Sequence, residues 1–138
     1  MKASGFQLLG SSFKMQQQKI VSYRDLVVWQ KSKDFVSKLY LLTQPFPKEE
    51  QFGLVAQMRR AAVSIPSNIA EGRGRRSRKD FVQFLHIASG SLAELETQLE
   101  ISRDLGFIET TAYQESLDAL GEIGRMLSSM RDKLKARS

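Results

Sequence analysis

The sequence lacks cysteine entirely and contains a single histidine, His86. Without cysteine there is no disulfide, no thiolate metal site and no cysteine nucleophile, a composition that suits a reducing compartment. One histidine cannot build a zinc site by itself. No stretch approaches the ~20 apolar residues that cross a bilayer, and the apolar part of the opening segment is too short for a signal peptide. We therefore expect a cytoplasmic protein with no membrane partner.

Charge is the first positive signal. The 138 residues, enough for one domain, include 21 basic and 15 acidic side chains and carry a net charge of +6. Five of the cations lie between residues 73 and 79, inside the stretch EGRGRRSRKDF, with no acid among them. Without those five the net charge would be +1, so the basicity is local.

Residues 1–21 differ from the remainder. They mix glycine, serine and a glutamine run without a sustained period, and Met15 is a second candidate for the natural start beside Met1. We expect a disordered tail here, with a partner-docking amphipathic arm as the less favoured interpretation.

The rest, residues 22–138, predicts four helices at about 23–43, 48–72, 77–105 and 110–135. Pro45 and Pro47 separate the first two, and Gly106 ends the third. The third helix carries apolar residues at alternating gaps of four and three, the spacing of a left-handed bundle. These residues are Phe81, Leu85, Ala88, Leu92, Leu95 and Leu99. No segment alternates with period two, so the sequence predicts an all-α, antiparallel up-down-up-down four-helix bundle.

The second predicted helix is apolar over more than half its circumference. A helix that is apolar over such an arc needs cover on two sides, and we interpret one side as a contact between copies of the chain. The residues assigned to this oligomer interface are Leu54, Met58, Ala61 and Ile65. Pro66 lies inside the helix and predicts a kink there.

Several catalytic and ligand-binding classes find no support. The Gly-x-Gly of the basic stretch lacks both the third glycine and the preceding strand of a dinucleotide site. Glu94, Glu96 and Glu100 lack the Glu-x-x-His pairs of a di-iron bundle, so we interpret them as a solvated acidic face. His86 has no serine and carboxylate partners in helical register. We predict no enzyme activity, no catalytic residue, no cofactor and no metal.

The basic stretch is the remaining candidate site. Its cations oppose the dipole at the start of the third helix, and phosphate binds well where charge and free backbone amides coincide. We predict weak, sequence-independent contacts with RNA or DNA phosphates. The residues are Arg60, Arg73, Arg75, Arg76, Arg78 and Lys79. The competing interpretation is a solvated turn.

Three segments carry a resemblance to a known family. They are YRDLVVWQKS, FPKEEQFGLVAQMRRAAVSIPSNIAEGRGR and DFVQFLHIASGSLAELETQL. Together they resemble the bacterial four-helix-bundle proteins encoded by open reading frames inside 23S rRNA intervening sequences, from about residue 22 to 130. The block RRAAVSIPSNIAEG is the most specific part.

The resemblance implies a four-helix bundle that assembles as a ring-shaped homopentamer. A similar bundle is the accessory protein of diversity-generating retroelements, which engages nucleic acid and a reverse transcriptase. The matching motif residues Ser64, Ile65, Pro66, Asn68, Glu71 and Gly72 imply a structural role in shaping the turn that presents the arginines. Two functions therefore stand: a nucleic-acid-binding ring, or a protein-interaction scaffold for a reverse transcriptase or a ribosome-associated partner.

Overall fold

The computed structural model describes residues 20–137, and the tail expected at 1–21 lies almost wholly outside this range. The described part folds into four helices: α1 (Val27–Thr43), α2 (Leu54–Arg73), α3 (Arg78–Asp104) and α4 (Thr110–Ala136). Two short 3-10 turns, Tyr23–Asp25 and Lys48–Glu50, precede α1 and α2. Links of a few residues join α2 to α3 and α3 to α4, so consecutive helices run antiparallel and the all-α four-helix bundle is confirmed.

The chain enters the bundle through a capping box. The Ser22 side chain accepts a hydrogen bond from the backbone N–H of Arg24, and Asp25 accepts from the N–H groups of Val21 and Ser22. These bonds close a 3-10 turn, and Leu26 is extended, so α1 begins at Val27 and not at 23 as predicted.

The start of α2 also differs from the prediction. A helix from residue 48 was expected because Pro47 and two glutamates are typical of a helix start. Residues Lys48–Glu50 form only a 3-10 turn, and Gly53 adopts φ −109°, ψ −104°, which no helix continues. The α-helix therefore begins at Leu54 and not at residue 48 as predicted.

Pro66 lies within α2, and the helix continues through it to Arg73. The turn around it is held by Asn68, whose side-chain amide donates to the carbonyl of Ser64 at 2.8 Å and to its hydroxyl at 2.9 Å. The helix thus neither breaks nor restarts at the proline. A bend of its axis there stays a prediction.

The third helix ends in a glycine cap. Gly106 has φ +78°, a conformation that glycine adopts without strain. Its N–H donates to the carbonyl of Arg103 at 2.9 Å, and the N–H of Phe107 donates to that of Ser102 at 2.8 Å. This pair of bonds is a Schellman motif, and it turns the chain back toward α4.

The core corrects the expected oligomer interface. Met58, Ala61 and Ile65 are 0%, 3% and 1% exposed within a single chain, and Leu54 packs against the same core. These residues are covered internally, since α2 packs against α3 and against α1, while Val63 on the other apolar side of α2 stays 40% exposed. Met58, Ala61 and Ile65 are therefore not available to a contact between copies and their assignment was wrong, whereas the assignment of the partly buried Leu54 stays a prediction.

Candidate nucleic-acid interface

One end of the bundle collects most of its positive charge. In an up-down-up-down bundle, the start of α1, the α2–α3 link and the last turn of α4 share one end. We call residues 20–25, 71–80 and 133–137 together the basic end. Its nine cations are Arg24, Arg73, Arg75, Arg76, Arg78, Lys79, Lys133, Lys135 and Arg137. Only three carboxylates, those of Asp25, Glu71 and Asp80, accompany them, so its net charge is +6.

The remainder of the described chain has the opposite sign. Outside the basic end, residues 26–132 carry nine basic and twelve acidic side chains, a net charge of −3. The bundle is therefore polarised along its length, and a polyanion approaching it is drawn toward one end.

A close backbone approach fixes the link between α2 and α3. Gly72 is buried, and a Cβ atom placed on it would lie 2.7 Å from Cβ of Phe84 and 2.9 Å from Cδ1 of Phe81. Only a residue without a side chain lets the end of α2 come this near to the first turns of α3. The four residues of the link, 74–77, then expose their side chains beyond the packed helices.

Arg75 is held in place by two neighbours. Its guanidinium pairs with the Glu71 carboxylate at 2.9 Å and lies 4.8 Å from the centre of the Phe84 ring. About half of each charged side chain remains exposed, so the pair adds little stability. What it does is orient the arginine while partly neutralising it.

The contact made by Arg78 offsets the expected repulsion between this cation and the positive end of the α3 dipole. It lies at the first position of α3, where a cation is unfavourable, but its Nη1 donates to the carbonyl of Arg137 at 2.9 Å. That carbonyl is at the negative end of α4, where a cation is favourable. The bond ties the beginning of α3 to the end of α4.

The other cations of the stretch differ in their surroundings. Arg73 is half-buried in the last turn of α2. Its charge contributes to lowering the pKa of Asp25, after the larger effects of the backbone hydrogen bonds from Ser22 and Val21. The side chains of Arg76 and Lys79 are exposed and make no hydrogen bond or ion pair with any residue of the described chain. These two are the cations most available to a ligand.

Arg60 does not join the others. It is exposed on α2, thirteen residues before Arg73, which places it about 20 Å away along the helix. It lines a shallow groove beside Arg59, whose Nε donates to Thr43 at 3.1 Å and whose guanidinium covers the Tyr40 ring. The structure thus separates Arg60 from the predicted phosphate contacts.

The motif residues lie where α2 meets α3. The hydroxyls of Ser64 and Ser91 are 2.7 Å apart, and Asn68 donates to Ser64 from one turn later. Ile65 and Pro66 are buried in the core side of the helix. With Glu71 and Gly72 they continue directly into the basic link.

Local sequence reasoning missed the contribution of α4. Lys133, Lys135 and Arg137 are exposed in or just after its last turn. The signal was present in the sequence, because the predicted helix order already puts this turn and the α2–α3 link at the same end of the bundle.

Within residues 20–137, no three His, Asp or Glu side chains lie close enough together to hold a metal ion. In the same range, no helix is both long and apolar enough to span a membrane.

Comparison with known proteins agrees with this architecture. A crystal structure of a protein of unknown function from the S23 ribosomal protein family of Bacteroides thetaiotaomicron VPI-5482 is similar, with a TM-score of 0.69 and 29% identity. The match covers 76% of this chain and 98% of that one. No curated protein matches significantly, and neither the family description nor the neighbour's description names a catalytic activity. The profile described as 23S rRNA-intervening sequence protein matches residues 24–129, and the chain belongs to that family.

Proposed function

We propose that the protein is a non-enzymatic bundle that binds the phosphates of RNA or DNA, without reading sequence, through its basic end. The observation that carries this proposal is the polarised charge: +6 at one end and −3 over the rest of the described chain. Phosphate contacts by lysine and arginine supply most of the affinity of sequence-independent binding. A surface of this kind is expected to bind many nucleic acids weakly.

Two features of the basic end favour phosphate binding over the competing interpretation, a solvated turn without a ligand. The side chains of Arg76 and Lys79 have no partner among the described residues. Arg76 lies on the link and Lys79 in the first turn of α3, where the Gly72 approach fixes the backbone. A cation on a rigid frame loses less conformational freedom when it binds. We place the first phosphate contacts at these two side chains.

The test is fluorescence anisotropy of a labelled structured RNA with Arg76→Ser/Lys79→Ser. Both side chains are exposed and unpaired in the described chain, so the fold should survive, whereas replacing Arg75 or Arg78 would also remove structural contacts. The control Lys38→Ser/Lys48→Ser removes the same charge from exposed positions outside the basic end.

Wild type and control should bind with a steep salt dependence. The Arg76→Ser/Lys79→Ser variant should lose about two units of the slope of log K against log salt, at roughly 0.9 per phosphate contact on a duplex. Failure of the wild type to bind RNA or DNA at low salt would refute the proposal. Equal loss in the control would show only a response to net charge.

A second function, a protein-interaction scaffold, is favoured by a groove between α1 and α4. These two helices form the loosest of the four packed pairs. The groove is lined by Leu41, Leu42, Ala112 and Ala119, and Leu41 is 70% exposed. The family resemblance implies that a second copy of the chain is the occupant, in a pentamer, with a reverse transcriptase or a ribosome-associated protein as a further partner.

Light scattering tests whether a second copy of the chain occupies this groove. If the groove is a contact between copies, Leu41→Glu should lower the mass of the assembly while leaving helicity unchanged. An unchanged mass above that of a monomer would place the contact elsewhere, and a monomeric wild type would rule out self-assembly.

A further inference from the structure

Six of the nine cations of the basic end form two arms. The link arm consists of Arg73, Arg76 and Lys79, at the end of α2 and the start of α3, and the tail arm consists of Lys133, Lys135 and Arg137, at the end of α4. The bond from Arg78 to the Arg137 carbonyl joins the two arms. Their relative position is therefore set by packed helices.

The spacing of the arms follows from the packing order. α3 contacts both α2 and α4, whereas α2 and α4 do not pack against each other and so lie on a diagonal of the bundle. Neighbouring helix axes are about 8–10 Å apart, which gives a diagonal of roughly 13 Å. Arg73, at the end of α2, lies on this diagonal from the tail arm, whereas Lys79, at the start of α3, is only one neighbouring helix away, at about 8–10 Å between axes.

The aromatic rings nearest this end are partly buried, and two of them lie against arginine side chains. The guanidinium of Arg75 lies 4.8 Å from the centre of the Phe84 ring, and that of Arg24 lies 4.8 Å from the centre of the Tyr23 ring. Phe81 packs against the core. Proteins that bind single strands stack bases on open aromatic faces, and at this end the Phe84 and Tyr23 rings already hold guanidinium groups.

We propose that the partner of the basic end is a double helix, with the two arms on the two phosphate backbones that flank one groove. This inference rests on the proposed nucleic-acid function. The arms lie roughly 8–13 Å apart between helix axes. This range includes the ~12 Å width of the B-DNA major groove, and A-form RNA presents a wide, shallow minor groove to phosphate contacts. A flexible single strand holds no second backbone at a fixed distance.

The experiment compares three labelled probes in anisotropy titrations. They are a two-turn RNA duplex, a DNA duplex of the same length, and an unstructured single strand of that length, each at about 50 and 200 mM salt. The proteins are the full chain, Lys133→Gln/Lys135→Gln, which removes two cations of the tail arm, and Lys38→Gln/Lys48→Gln as the control of equal charge.

At least one duplex should bind the wild type roughly tenfold more tightly than the single strand. The tail-arm variant should lose about two units of salt slope on that duplex and change less than about twofold on the single strand, which one arm can hold. The control should match the wild type on every probe.

The outcomes separate this inference from the function on which it rests. Equal affinity for single strand and duplexes would overturn the double-helix partner and leave nucleic-acid binding intact. Unchanged duplex binding by Lys133→Gln/Lys135→Gln would overturn the two-arm arrangement. Binding of no probe at low salt would overturn both the proposed function and this inference.

Discussion

Gly72 and Phe84 lie so close that a methyl group on the glycine would come within 2.7 Å of the phenylalanine Cβ. Cβ is fixed to the α3 backbone, so a rotamer change of Phe84 cannot relieve the clash. The packing of α2 against α3, and with it the position of the basic link, depends on the absence of one side chain.

Gly72→Ala should therefore lower the free energy of unfolding by about 1–3 kcal/mol. Gly90→Ala is the matched control, because a Cβ there meets nothing within 4 Å. Gly90 is exposed in the middle of α3, where alanine favours the helix more than glycine does, so Gly90→Ala should raise the free energy of unfolding by about 0.5–1 kcal/mol. Urea denaturation measures both, and two stabilising substitutions would show that the approach at Gly72 is not tight.

Leu95→Ala should cost roughly 2–5 kcal/mol in the same measurement. Leu95 is fully buried at the bundle centre, and Leu92 at 7% exposure should behave similarly. Ile87 is on the same helix but 47% exposed, so Ile87→Ala should change stability much less. Equal effects at Leu95 and Ile87 would contradict the register of α3.

Ala61→Glu should destabilise the single chain, by more than about 3 kcal/mol, because the carboxylate would be placed in the core without a partner. Val63→Glu, on the same helix at 40% exposure, should be tolerated. Thermal unfolding followed by circular dichroism distinguishes them. A folded Ala61→Glu protein of reduced mass would restore Ala61 to an interface between copies.

Acid should weaken the turn that leads into α1. The backbone N–H groups of Ser22 and Val21 hold the pKa of Asp25 below its usual value, so its contribution is complete above the ordinary carboxyl pKa and is lost as the pH falls through the lowered one. Asp25→Asn should thus be less stable than wild type near neutral pH. The difference should shrink below about pH 4 in denaturation curves measured across pH, and a gap that widens in acid would contradict this assignment.

The fold was accessible from sequence because the apolar spacing of α3 repeats without exception from Leu85 to Leu99, and these residues are buried. The start of α2 could not be predicted in the same way. Pro47 and two glutamates are typical of a helix start, whereas the conformation of Gly53, which delays the helix, depends on how the segment between α1 and α2 packs.

The assignment of one apolar side of α2 to a contact between copies failed for a different reason. A wide apolar arc shows that a helix needs packing partners on two sides. It does not show whether those partners belong to the same chain. Met58, Ala61 and Ile65 are buried within a single chain, in which α2 packs against α1 and α3. Likewise, the five cations of residues 73–79 stood out locally, whereas Lys133 and Lys135 join them only through helix order.

The bond from Arg78 to Arg137 also constrains how the protein can be attached to anything else. A tag or linker joined after residue 137 would emerge beside the cations themselves and could shield them or add charge. The turn at Lys48–Glu50 precedes the far end of α2, about 30 Å away along its twenty residues. A label or surface anchor placed there would leave the basic end facing solution.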